Sequence, residues 1–202
     1  MLAKRALLGL VMLLGLAACA AEPVWAPEAQ VQAAKYRHEG PTTLSLITVV
    51  NNKTGSGAHS GLMISASERV IFDPAGTFKH ASIPERNDVI FGINPNVLNT
   101  YINYHTRESF DTYVQTIEVS PEVAERALQA VKAYGAVPKA QCSRSLTAVL
   151  SSLPGFEDFP QSWFPNATRR NFAKLPGVTE RHYVDDDSDD NKYILRQEIA
   201  AN

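Results

Sequence analysis

The spacing of hydrophobic and polar residues changes along the chain, and this spacing predicts which segments form strands and which form helices. Five stretches are rich in β-branched residues or alternate between apolar and polar positions, which is typical of strands: residues 44–50, 58–64, 70–72, 89–93 and 110–119. Turn-forming residues separate the first three stretches. These strands are therefore expected to be neighbours in one antiparallel sheet.

Apolar residues at helical spacing predict four helices. The first begins near Asn94, the second at the capping residue Ser120, the third near Cys142, and the fourth spans residues 162–175. Gly135 closes the second of these helices. Strands that are followed by helices, with one strand between helices, predict an α+β domain in which a small antiparallel sheet packs against helices.

The first residues have the composition of an export signal. Lys4 and Arg5 precede an apolar run, residues 6–16, which is too short to span a bilayer as a helix. The run ends in Leu16-Ala17-Ala18-Cys19, which resembles a bacterial lipobox. This resemblance implies cleavage before Cys19, diacylglycerol on its thiol and anchoring to a membrane. The alternative is an ordinary signal peptide with a chance cysteine at its end.

The lipobox and the composition of the chain together predict a division into four parts. Residues 1–18 are expected to be the signal peptide, residues 19–41 a lipidated tether with a short helix, and residues 42–184 a single domain. Residues 185–202 begin with an acidic run and are expected to be a solvated tail, with calcium binding as the minority alternative. Ala20 rather than Asp follows the cysteine, which implies an outer-membrane location facing the periplasm in a Gram-negative cell.

Charge and histidine spacing argue against several classes of function. The formal net charge is −2, and the mature part of the chain has no basic cluster, so nucleic-acid binding is not expected. The histidines are far apart and lack paired ligand spacing, so the sequence predicts neither a metal site nor a cofactor.

Cys142 is the only cysteine besides Cys19, and its thiol has two interpretations. If Cys19 carries lipid, Cys142 is a single thiol in an oxidising compartment. It is then either a buried cysteine that packs as a small hydrophobe or a reactive thiol. The predicted helix start favours a thiolate, because a helix N-terminus offers partial positive charge and unpaired amides.

A nucleophilic cysteine needs a base and a group that orients the base, and the sequence offers both. His59 is the best candidate base, since it follows a glycine-rich loop and lies on a predicted strand. Asp73 ends the next predicted strand, where its carboxylate would either fix the imidazole tautomer or cap a turn. His80 is expected in a loop over the site, as a substrate contact or in place of Asp73. His105 and Ser143 are further candidates for substrate contact.

Three short motifs, in chain order, resemble the permuted branch of the NlpC-type papain-like superfamily, to which lecithin:retinol acyltransferase-like proteins belong. The motifs are His59-Ser60-Gly61-Leu62-Met63-Ile64, then Val70-Ile71-Phe72-Asp73, then Cys142-Ser143. The resemblance implies a circularly permuted papain-like fold with Cys142 as nucleophile, His59 as base and Asp73 as third polar residue. The chain departs from the pattern at Asp73, since that position is usually His, or sometimes Asn or Gln.

These observations lead to a first hypothesis and two alternatives. The first is a membrane-anchored cysteine hydrolase of the cell envelope, of the amidase or peptidase type, which acts on an amide such as a peptidoglycan peptide. One alternative is a thiol acyltransferase or esterase that acts on lipids. The other is a non-enzymatic envelope lipoprotein that uses the same fold for binding or assembly.

Overall fold

Seven strands form one antiparallel sheet in the computed structural model of the chain, which describes residues 21–199. The strands are Thr43–Asn51 (β1), Gly57–Ser65 (β2), Arg69–Phe72 (β3), Glu85–Arg86 (β4), Val89–Phe91 (β5), Phe110–Glu118 (β6) and Thr179–Tyr183 (β7), and their order across the sheet is β4-β5-β3-β2-β1-β6-β7. The α-helices in the described residues are Glu28–Ala34 (α1), Pro95–His105 (α2), Pro121–Tyr134 (α3), Cys142–Ser151 (α4) and Pro165–Phe172 (α5). The predicted α+β class and antiparallel sheet are thus confirmed.

Both faces of the sheet are covered. Leu44 and Leu46 of β1 belong to a buried cluster that includes the apolar residues of α3, α4 and α5. Ile47 belongs to a second cluster, which contains the apolar residues of α2. Because successive side chains of a strand point to opposite faces, the three later helices lie on one face and α2 lies on the other.

Capping explains where the helices start. Asn94 accepts a hydrogen bond from the Val97 amide at the start of α2, and Ser120 accepts one from the Val123 amide at the start of α3. Gly135 ends α3 with a φ of 87°, a conformation that glycine adopts without strain. Helix α5 is shorter than the predicted range 162–175.

The segment predicted to be a tether is packed on the edge of the sheet. The Asn87 amide donates to the Val24 carbonyl and the Ala26 amide donates to the Glu85 carbonyl, both at 3.0 Å. The predicted short helix is present as α1, and its Val31 is buried in the core. The packed part of the chain therefore begins well before residue 42. Cys19 and the expected signal peptide lie outside the described residues.

The segment predicted to be an acidic tail is also packed in part. Most of the acidic run 185–190 is exposed, as expected. Beyond it, Asn191 donates a hydrogen bond to the Tyr104 carbonyl, and Ile194 is buried at the start of a 3-10 helix, Ile194–Arg196. Throughout residues 21–199, no helix has the length and apolar character required to cross a membrane.

Candidate active site

The pairing of β2 with β3 brings His59 next to Asp73. The two strands pair up to Leu62 and Phe72, so Asp73 follows directly at the end of β3. The His59 Nε2 lies 2.6 Å from the Asp73 Oδ1. The turn after β3 closes through the backbone, with the Gly76 amide donating to the Asp73 carbonyl at 2.9 Å. The carboxylate itself is thus directed to the imidazole.

Helix α2 supplies a second partner for Asp73. The Tyr101 hydroxyl donates to the same Oδ1 atom at 2.6 Å, and the Tyr101 side chain is fully buried. Gly61 makes this contact possible, because a Cβ at that position would lie 2.8 Å from the Tyr101 hydroxyl oxygen. One carboxylate oxygen therefore holds both the imidazole and the phenol.

His105 completes the packing around His59. Its Nδ1–H donates to the Tyr101 carbonyl at 2.8 Å, one helical turn earlier. Its ring lies parallel to the His59 ring with 5.7 Å between centroids. The fold therefore brings this predicted residue to the candidate site, as a buried neighbour of His59.

Cys142 is the first residue of α4, and its thiol lies close enough to the His59 side chain for the two groups to affect each other's ionisation. Since Nε2 of His59 faces Asp73, Nδ1 is the nitrogen left for the thiol. The backbone amides of Ser60 and Ser143 also contact the thiol, and the two serine hydroxyls lie 3.2 Å apart. The thiol is buried, with 8% of the residue exposed.

The surroundings of the thiol favour its ionised form. Burial raises the pKa of Cys142, but the hydrogen bond and charge of His59, together with the two amides, outweigh it. The net pKa of Cys142 lies below its ordinary value. A helix N-terminus acts in the same direction, because it stabilises negative charge.

Asp73 and His59 stabilise each other's charges. Burial lowers the pKa of His59, but attraction to the Asp73 carboxylate and the hydrogen bonds to Asp73 and Cys142 raise it to about 10. Burial raises the pKa of Asp73, but attraction to His59 and the bonds from His59 and Tyr101 lower it to about 2. The site thus favours the thiolate of Cys142, the imidazolium of His59 and the carboxylate of Asp73, which neighbour one another in that order.

His105 differs from His59 in its charge state. Burial lowers the pKa of His105 to about 4, although Asp73 acts in the opposite direction. His105 is therefore neutral near pH 7 and packs against the charged His59 as an uncharged ring. Ligand atoms of His59, Asp73 and His105 lie within 4.8 Å of one another, so three groups that are distant in sequence form a cluster of possible metal ligands.

The two other predicted substrate contacts, Ser143 and His80, lie in different parts of the structure. Ser143 lies beside the thiol. His80 instead bonds to the Gln197 carbonyl at 2.9 Å and to Ser82, so it is part of a surface network with the C-terminal segment. His80 does not take the position of Asp73 as partner of His59.

Sequence reasoning missed Tyr101 as a member of the site. Its position in an apolar stripe at helical spacing predicted only a core residue. A tyrosine hydroxyl that is buried usually needs a hydrogen-bond partner, and this was the one available signal. The sequence did not indicate that the partner would be Asp73.

Exposed aromatic residues border the first turn of α4. Trp163 is 53% exposed, and the Arg144 guanidinium lies 4.9 Å from the centroid of its ring. Phe164, the next residue, is 72% exposed. Arg144 and Trp163 therefore form an exposed pair near the start of α4.

No protein family, curated protein or solved structure matches this chain. A thiol, an imidazole and a carboxylate lie next to one another in that order, the imidazole is hydrogen-bonded to the carboxylate, and backbone amides lie beside the thiol. Such an arrangement is suited to nucleophilic attack on a carbonyl carbon.

Proposed function

We propose that this protein is a lipid-anchored cysteine hydrolase of the cell envelope, with Cys142 as nucleophile, His59 as acid and base, and Asp73 as the group that orients His59. The observation that carries the proposal is the row of neighbouring side chains Cys142, His59 and Asp73, in which the His59 Nε2 lies 2.6 Å from the Asp73 Oδ1 and the Cys142 thiol interacts with His59. The substrate is an amide or ester carbonyl of the envelope.

The proposed reaction follows from the charges in the site. The Cys142 thiolate attacks the carbonyl carbon, a C–S bond forms, and the carbonyl electrons move to oxygen. Amides at the start of α4 stabilise that oxyanion. His59 then gives its proton to the leaving amine or alcohol as the scissile bond breaks, which leaves an acyl-enzyme on Cys142.

Water completes the cycle. His59, now neutral, accepts a proton from water as the water attacks the acyl-enzyme, and the C–S bond breaks to restore the thiolate. Asp73 keeps the imidazole in one orientation throughout both steps, because its Oδ1 is itself fixed by Tyr101. No metal or cofactor takes part in this scheme.

The order of the groups supports a permuted papain-like architecture. The base lies on β2, the carboxylate follows β3, and the nucleophile begins the later helix α4. This is the chain order that the resemblance of the three motifs implies. The lipid anchor is part of the proposal because the residues that end at Cys19 resemble a lipobox.

The proposal predicts a covalent acyl adduct on Cys142. An activated ester should transfer its acyl group to Cys142 of the folded protein, and peptide mass spectrometry detects this label. Cys142→Ser should abolish it. His59→Ala should slow labelling about 100-fold or more, since it removes the base. His80→Ala is the matched control and should leave the rate unchanged. If Cys142 is labelled only after unfolding, the thiol is core packing and the non-enzymatic alternative is correct.

A further inference from the structure

The N-terminal segment contacts the domain almost up to the proposed lipid. Glu22 pairs with Lys139 at 3.2 Å, and the carbonyls of Val24 and Ala26 accept hydrogen bonds from Asn87 and from the Arg86 side chain. Glu22 follows Cys19 by three residues, which span at most about 10 Å when fully extended. A lipid on Cys19 would therefore be joined to the first described residue that contacts the domain by a segment of only three residues.

The chain leaves the domain close to the candidate active site. Lys139, the partner of Glu22, precedes Cys142 by three residues. Glu22 and Lys139 also line one cleft together with Gly76. Gly76 lies directly against the Asp73 carboxylate, where a Cβ would collide with it. Glu22, the described residue of this segment nearest to Cys19 that pairs with the domain, therefore lies on the same side of the domain as Asp73.

The surface at this point suits the interface of a bilayer. Trp25 is 66% exposed, although it lies in a segment that is hydrogen-bonded on both sides. The Arg86 guanidinium lies 4.6 Å from the Trp25 ring centroid, so the ring is held in place while its outer face remains open. Tryptophan is the residue type that is most typical of the headgroup region, where an amphipathic ring is favoured.

From these observations we infer that the folded domain rests directly on the bilayer with Trp25 at the level of the headgroups, and that the site acts on a carbonyl held in that membrane. The inference rests on the proposed lipid anchor and narrows the proposed substrate to membrane-anchored amphiphiles. A longer tether would let the domain act at a distance, whereas about 10 Å of linker keeps the site at the surface.

The orientation is tested with the two tryptophans of the chain, Trp25 and Trp163. Lipidated protein is reconstituted into phosphatidylcholine–phosphatidylglycerol vesicles that carry bromine on their acyl chains. Trp163→Phe leaves Trp25 as the reporter, and Trp25→Phe leaves Trp163. Strong quenching of Trp25, greater than that of Trp163, is expected. Absent quenching of Trp25, or quenching no greater than that of Trp163, would overturn the inference.

The substrate class is tested with a long linker. A flexible insertion of roughly 20 Gly and Ser residues between Ala20 and Ala21 frees the domain from the surface. Labelling of Cys142 by an activated ester with a long alkyl chain, embedded in the vesicles, should fall about threefold to tenfold. Labelling by a short, water-soluble ester should be unchanged. Equal labelling by the embedded ester with and without the insertion contradicts the inference.

The two esters separate this inference from the proposed function. If neither ester labels Cys142 in the folded protein, the hydrolase proposal fails, and the substrate claim fails with it. If the water-soluble ester labels Cys142 but the insertion changes nothing, the hydrolase proposal stands and the membrane orientation is wrong.

Discussion

The Asp73 carboxylate is the residue on which the candidate site depends most. One oxygen accepts hydrogen bonds from His59 and from Tyr101, both at 2.6 Å, and the group is almost fully buried. A buried carboxylate is stable as an anion only when it is paired and hydrogen-bonded. The two donors thus determine both the charge and the orientation of Asp73.

Tyr101→Phe should weaken the site without removing any of the three reacting groups. The loss of one hydrogen bond to a charged acceptor is expected to cost about 1.5–3 kcal/mol, which corresponds to at least about a tenfold fall in Cys142 acylation. The Tyr101 bond contributes to the low pKa of Asp73, so its loss raises that pKa. Because the anion is the functional form, the acid limb of the pH–rate profile should move to higher pH. An unchanged acid limb would show that Tyr101 is only a packing residue.

At the scale of elements, the site depends on the close approach of α2 to β2. Gly61 allows that approach, because any side chain there would reach the Tyr101 hydroxyl. Helix α4 contributes its first turn from the opposite face of the sheet. His59 and Cys142 thus come from different layers and meet at the start of β2.

The Gly61→Ala substitution tests this approach. Its Cβ would lie 2.8 Å from the Tyr101 hydroxyl oxygen, a distance that forces the phenol to move. Acylation of Cys142 should fall at least as much as in Tyr101→Phe. In a Tyr101→Phe background the clash is absent, so adding Gly61→Ala should cost little more. Rates measured for the four proteins of this cycle should be strongly non-additive. Simple additivity would mean that the two positions do not interact.

The sequence predicted the elements with clear periodicity and missed those without it. The centres of β1, β2, β3 and β6 were predicted correctly, because their β-branched and alternating residues face a core. Strand β4 has two residues, and β7 is polar and mostly exposed, so neither has an apolar pattern. Both form because neighbouring strands offer unpaired edges, which is a tertiary effect.

The sequence indicated which three residues would come together at the candidate site, but not which residues would surround and position them. His59, Asp73 and Cys142 were chosen on residue type and position relative to predicted strands and a helix start. Tyr101 and the stacking of His105 on His59 depend on where α2 packs against the sheet, and local patterns do not contain that information. For the same reason, the fixed position of residues 22–36 did not follow from their composition.

At the scale of the whole molecule, buried titratable groups couple stability to pH. The pKa of His105 is lowered to about 4 in the folded chain by burial, against an ordinary value of about 6.5. Between these pH values the unfolded chain binds the proton and the folded chain does not. Protonation therefore favours unfolding, and stability falls as the pH decreases from about 6.5 to about 4.

His105→Gln should make the acid side of the stability profile shallower. Glutamine does not titrate in this range. The contribution of His105 to the slope of the unfolding free energy against pH, at most about 1.4 kcal/mol per pH unit, should therefore be absent between about pH 4 and 6.5. The free energy of unfolding in urea, measured at several pH values between 4 and 6.5, gives the slope directly. His80→Gln is the control, since His80 lies in a surface network. An unchanged slope in His105→Gln would show that His105 is not held neutral in the folded state.

The most direct test of the central claim, a paired Cys142 and His59, is the pH dependence of Cys142 alkylation. The measurement uses the mature chain with Cys19→Ala, with and without His59→Ala. A paired Cys142 and His59 should give a thiolate that titrates well below about pH 8.5 and a clear upward shift of that titration in His59→Ala. A thiol that reacts only at high pH or only in denaturant, with no response to His59→Ala, would show that the two residues are not paired.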